Sequence, residues 1–142
     1  MRQLIFFTLV FSLFSFVTIE DWKTIHVGDG IAIRSKTADC LLDNAFKQRW
    51  FLLEFKNTSG SKIKVTWDLE LLDENGKCVT CNHGNGEYQY SITLEPNQTL
   101  AGECSTKCSP ELRVVSKILD VKTSMSYPEF NLKNIRVIKL SN

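Results

Sequence analysis

The chain has 142 residues, 43% of them apolar, and a formal charge of +1. That length holds one ordinary domain and is too short for two, and the apolar share supplies a real core and argues against wholesale disorder. With no basic surplus to neutralise phosphates, nucleic acid is not expected as a partner.

Met1-Arg2-Gln3 is a short positive segment, and the run from Leu4 to Ile19 that follows carries no charge until Glu20 and Asp21 close it. A bilayer span needs about 20 apolar residues, so this run suits the hydrophobic region of a secretory leader better than a membrane helix. The expected division is a signal peptide over 1–19 and a single domain over 20–142. No Ala-x-Ala marks a cleavage site, and Ser15 and Thr18 are the small residues nearest the end of the run. An uncleaved anchor is the alternative, and membrane association is expected only in that case. Without Arg2 the 17 basic residues become 16, against 16 acidic ones. Such a domain does not depend on electrostatic steering.

Ile25-His26-Val27 and Ile31–Arg34 read as two short strands about the turn Gly28-Asp29-Gly30. Residues 35–49 are the least regular part, read as a loop with a short helix in which Leu41, Leu42, Ala45 and Phe46 share a face. From Arg49 to Lys56 the chain alternates, with Phe51, Leu53 and Phe55 on one face and Trp50, Leu52 and Glu54 on the other. Asn57–Ser61 is a polar turn. The next stretch, 62–73, carries the clearest two-residue period in the chain: Ile63, Val65, Trp67, Leu69 and Leu71 interleaved with Lys64, Thr66, Asp68 and Glu70. Successive strand side chains point to opposite faces, so this is a strand with one buried and one solvated face. The two strands are expected to form a hairpin through the 57–61 turn.

Asn75-Gly76 is a strong turn signal, because both residues tolerate positive φ. A short return strand, Lys77–Cys81, is expected after it, then a tight turn over 82–86. Glu87–Leu94 alternates with Tyr88, Tyr90, Ile92 and Leu94 inward. Glu95-Pro96-Asn97-Gln98 turns the chain. Strands are expected over Thr99–Cys104, Leu112–Val121 and Phe130–Leu140, the last with a bulge near Asn134 where its alternation slips. Eight or nine short strands with regular turns predict an all-β antiparallel β-sandwich of immunoglobulin-like size, with a small β-barrel as the alternative.

Five cysteines fall in the domain: Cys40, Cys78, Cys81, Cys104 and Cys108. The last four stand as Cys-x2-Cys and Cys-x3-Cys, which on spacing alone would suit a four-thiolate zinc site. In an exported chain the expectation is disulfides instead. If strand 87–94 lies between the two cysteine-bearing strands, Cys81 and Cys104 sit two strand spacings apart, about 9–10 Å. A disulfide needs Cα atoms within about 7 Å. Local pairs, Cys78–Cys81 and Cys104–Cys108, therefore fit best. Cys40 is expected free and buried, or bonded to one of the four in place of a local pair. A redox-active Cys-x-x-Cys wants a helix N-terminus to lower its thiolate pKa, and here the motif follows a hairpin turn.

The two histidines, His26 and His83, read as ordinary side chains, His83 in a surface turn. No Ser/His/Asp order, carboxylate pair or phosphate-cradling glycine loop stands out. Asn57-Thr58-Ser59 and Asn97-Gln98-Thr99 both match the glycan-acceptor pattern. Trp50 faces away from Phe51, Leu53 and Phe55, so it is either covered by the 35–49 segment or part of an exposed aromatic surface, and it is the candidate binding residue. The expected function is a non-enzymatic module, secreted, periplasmic or at the cell surface, with a binding or structural role toward a protein or carbohydrate partner and no cofactor. The alternatives are a zinc-stabilised module on Cys78, Cys81, Cys104 and Cys108, or an enzyme or inhibitor whose residues lie in the segments 35–49 and 122–129.

Overall fold

The stretch with the strongest alternation, residues 62–73, becomes the middle strand of a sheet, and its apolar face becomes half of the core. In the computed structural model the described residues are 21–42, 46–81, 86–122 and 125–141. The expected leader 1–19, Asp43-Asn44 and residues 82–85, with His83, lie outside them. The strands run β1 Lys23–Gly28, β2 Ile31–Leu42, β3 Phe46–Asn57, β4 Ile63–Leu72, β5 Gln89–Leu94, β6 Thr99–Ala101, β7 Arg113–Ile118 and β8 Glu129–Lys139. A 3-10 turn at Pro110–Leu112 precedes β7.

Two antiparallel sheets result, and neither closes into a barrel. One has the order β5-β4-β8. The other runs β1-β2-β3, and the free edge of β3 is then shared end to end by β6, against residues 54–56, and β7, against residues 48–52. The sheets meet on their apolar faces. Ile31, Ile33, Phe51, Leu53 and Phe55 from one pack against Ile63, Val65, Trp67, Leu69 and Leu132 from the other. Aromatic rings bridge the layers, Phe55 on Trp67 at 4.6 Å and Phe51 on Phe130 at 4.7 Å between centroids. Tyr90 continues the stack onto Trp67 from within its own sheet. This is a β-sandwich with the inward residues that alternation marks out.

The return strand expected over Lys77–Cys81 is reduced to an isolated Leu72–Cys78 bridge, and three larger features also depart from the sequence expectation. Residues 35–42 are neither loop nor helix: β2 runs unbroken to Leu42 and pairs with all of β3. Its Ser35, Thr37 and Asp39 lack the apolar alternation of a half-buried strand, yet hydrogen bonding to β3 holds them extended. Exposed Asp39 and Arg49 pair across this ladder at 2.7 and 3.1 Å. The guanidinium holds the Asp39 carboxyl below its ordinary range, so the pair persists until pH falls below that range.

The second departure is that β3 and β4 are not a hairpin. They belong to different sheets, and 57–61 is a corner between layers. Asn57 is fully buried there. Its Nδ2 donates to the carbonyls of Ser61 at 2.8 Å and Glu95 at 2.9 Å, and its Oδ1 accepts from the Ser59 backbone N–H at 2.9 Å. One side chain thus ties the end of β3 to the start of β4 and the end of β5. Asn57→Ala is expected to cost about 2 kcal/mol, because buried backbone groups lose their partners. Chemical denaturation would show it as a lower midpoint with an unchanged slope.

The third departure is that β6 crosses to the other sheet rather than returning beside β5. Gly102 ends β6 by donating its N–H to the Leu53 carbonyl at 2.8 Å. A Cβ at this position would lie 2.1 Å from the Leu112 carbonyl oxygen. The chain is pinched between Gly102 and Leu112, and residues 103–111 are thrown outward as a loop. Gly102→Ala must separate two backbone segments and is expected to cost about 2–3 kcal/mol, read as a lower thermal midpoint. The bulge expected near Asn134 is present. Its φ is 51°, and the β4–β8 register shifts between Thr66 and Asp68.

Candidate functional site

The expelled 103–111 loop decides the sulfur chemistry. Strand β6 lies on the far side of β3 from β2, and Cys104 follows its end by three residues. Its disulfide nevertheless goes to Cys40 on β2, with Cα atoms 5.2 Å apart. Because the loop leaves the plane of the sheet, the bond passes over the outer face of β3, and in-plane strand spacing no longer limits it. Cys108, four residues on, turns the other way into the core between the sheets and is a free buried thiol. Its sulfur accepts from the Glu103 backbone N–H at 3.4 Å. The expected Cys104–Cys108 pair therefore does not form, because the two side chains leave on opposite faces. Cys40 takes its alternative role as the partner of Cys104. The local Cys78–Cys81 bond is present, with Cα atoms 5.6 Å apart.

The four thiols of the zinc alternative are not brought together. Cys78 and Cys81 lie beside β4, bonded to each other, while Cys104 is committed to Cys40 and Cys108 faces the core. Among the described residues no group of three metal-ligating side chains is assembled. Alkylation in denaturant without reduction is expected to add a single label, at Cys108, and alkylation of the folded protein none. Peptide mapping reads both results.

Trp50 is the second correction. It is 1% exposed and cannot serve as a binding surface. With Cys40 and Leu52 it forms a small second core on the outer face of the β1-β2-β3 sheet, against Trp22, Ala38 and Leu42. Its Nε1–H donates to Gln48 Oε1 at 2.8 Å, and the Arg113 guanidinium lies 4.6 Å from its ring centre. Beside it the Arg34–Glu54 ion pair and the Lys36 ammonium, 4.6 Å from the Trp22 ring, continue the covering. The covering expected from segment 35–49 does come from it, as strand rather than loop: Ala38, Cys40 and Leu42 on β2, with Trp22 beside them.

A polar surface cavity lies on the other sheet. Beyond Asp68 strand β5 no longer pairs with β4, and the 78–81 segment takes over the β4 edge. Thr80 Oγ1 accepts the Leu71 N–H and donates to the Leu69 carbonyl, both at 2.9 Å, and the Val79 N–H reaches the Leu71 carbonyl at 2.8 Å. The Cys78–Cys81 bond closes this segment into a rigid wall. Opposite it, the β8 bulge brings Asn134 Nδ2 to 2.6 Å from Asp68 Oδ2, and Gln89 Nε2 lies 3.2 Å from the other carboxylate oxygen. Between wall and bulge is a cavity of about 320 Å³ whose polar lining includes Asp68, Glu70, Tyr88 and Lys133. Carboxylate acceptors, an ammonium donor and a phenol ring suit a small polar ligand. Only the alternation that turns Asp68 and Glu70 outward was visible in sequence. That 78–81 and the Asn134 bulge flank them is a tertiary result.

Comparison of the chain with protein-family models, with curated proteins and with solved structures returned no match.

Proposed function

We propose that this chain is an exported, non-enzymatic module of the extracellular space or cell envelope, immunoglobulin-like in class, that binds a polar partner in the groove on the β5-β4-β8 sheet. The observation that carries the reading is the Cys40–Cys104 disulfide, which joins segments 64 residues apart. Bonds of this kind persist in oxidising compartments and are rare where thiols are kept reduced. The uncharged run 4–19 fits the same route as a leader, with 20–142 as the mature domain. The groove takes the binding role that sequence reasoning gave to Trp50. Its hydrogen-bonding lining suits carbohydrate hydroxyls or a polar peptide segment.

Two measurements test this. The full chain, expressed with its own first residues, is expected outside the cytosol with both disulfides formed. Retention in the cytosol with reduced thiols would refute export. A glycan array and a pull-down from the extracellular fraction, each run with wild-type protein and with the surface variants Glu70→Ala and Lys133→Ala, test the groove. Binding that both variants weaken supports it, and binding that neither affects moves the site elsewhere.

A further inference from the structure

The two glycan-acceptor motifs match the same pattern in sequence and are opposite in structure. Asn57 is completely buried, and its Nδ2, the atom that would carry sugar, donates to the Ser61 and Glu95 carbonyls. Asn97 is exposed. It occupies the third position of a turn closed by the Gln98 N–H on the Glu95 carbonyl at 3.1 Å, with φ 59°. Pro96 ahead of it and a positive φ at this position mark a type II turn, one of the few places where asparagine is favoured at a bend apex. Thr99, which completes the motif, is exposed at the start of β6.

We propose that Asn97 is an N-glycan acceptor and that Asn57 is not. The inference rests on the export reading and specifies a eukaryotic secretory route. The donor class is a lipid-pyrophosphate-linked oligosaccharide. Asn97 Nδ2 forms the new bond to the anomeric carbon, the bond from that carbon to the pyrophosphate oxygen breaks, the lipid pyrophosphate leaves, and the amide gives up one proton. A glycan at Asn57 would have to occupy the corner where β3, β4 and β5 meet, so a chain modified there cannot close its core. Folded molecules therefore carry sugar at Asn97 alone. The Asn97 turn adjoins Leu94 at one end of β5, while the groove adjoins Gln89 at the other, about 17 Å away at the rise of an extended strand. Sugar at Asn97 leaves the groove open.

The test is secretion of the full chain from a eukaryotic cell line, once with its own first residues and once behind a heterologous leader. Amidase deglycosylation and peptide mapping follow. The expected result is one glycan per secreted molecule, with Asn97 converted to Asp by the amidase and Asn57 unmodified. Asn97→Asp, which keeps a residue tolerant of positive φ, and Thr99→Ala, which leaves Asn97 in place, are each expected to abolish the glycan. Secreted wild-type protein bare at Asn97, or folded protein with sugar at Asn57, overturns the proposal. A chain that is secreted and glycosylated only behind the heterologous leader supports the acceptor site and refutes the export reading instead.

Discussion

Replacing Cys40 and Cys104 together by alanine is expected to destabilise the domain by about 4 kcal/mol. The bond spans 64 residues, and closing a loop of that length in the unfolded chain removes entropy worth about 4 kcal/mol at room temperature. A typical single domain has about 5–15 kcal/mol to lose, so the double variant is expected to sit near the edge of stability. The Cys78–Cys81 bond closes only a three-residue separation, and the same relation makes it worth less than about 2 kcal/mol. Its loss should loosen the wall of the groove more than it weakens the fold. Denaturant titration of the two double variants orders these effects. Equal midpoints would show that the long-range bond does not constrain the unfolded ensemble as argued. The paired substitution is required, because Cys40→Ala alone would free Cys104 near Cys108 and invite a new disulfide.

Trp50→Ala is expected to cost about 3–5 kcal/mol while leaving ligand binding intact. Trp50 is 1% exposed and is the largest fully buried side chain in the second core. Removing it opens a cavity that Cys40, tethered to Cys104, cannot collapse to fill. The change also leaves Arg113 without its aromatic neighbour. Because Trp50 and the disulfide share this cluster, combining Trp50→Ala with the cysteine pair should cost less than the two losses added separately. A double-mutant cycle by chemical denaturation measures that shortfall. Full additivity would show that the bond and the ring do not support each other. Loss of binding with unchanged stability would restore Trp50 as a surface residue.

Much of the fold was legible because the inward-facing residues repeat at the strand period. Phe51, Leu53 and Phe55, and Ile63, Val65, Trp67 and Leu69, are core as alternation requires. The bulge at Asn134 showed as a slip in that alternation, the turn at Asn75-Gly76 in residues that tolerate positive φ, and the turn at 95–98 in the preset φ of Pro96. What stayed hidden was which strand pairs with which. The polar segment 57–61 reads as a hairpin turn, yet its Asn57 faces inward and anchors a corner between layers. Segment 35–42 reads as loop because its side chains lack periodicity, yet β3 supplies a hydrogen-bonding partner along its whole length. The groove was illegible for the same reason. Its two flanks, 78–81 and Asn134, are far apart in the chain and adjoin only because both lie against β4.

By itself, then, the order of apolar and polar residues determined the strand-rich class, the inward face of each main strand and most turns. Each of these depends on interactions within a few residues. The tertiary structure alone decided that β6 changes sheet, that Cys104 finds Cys40 while Cys108 points inward, that Trp50 is covered, and that Asn97 rather than Asn57 is open to solvent. These outcomes depend on which edges remain unpaired after the two layers meet, a global constraint that no local pattern in the chain encodes.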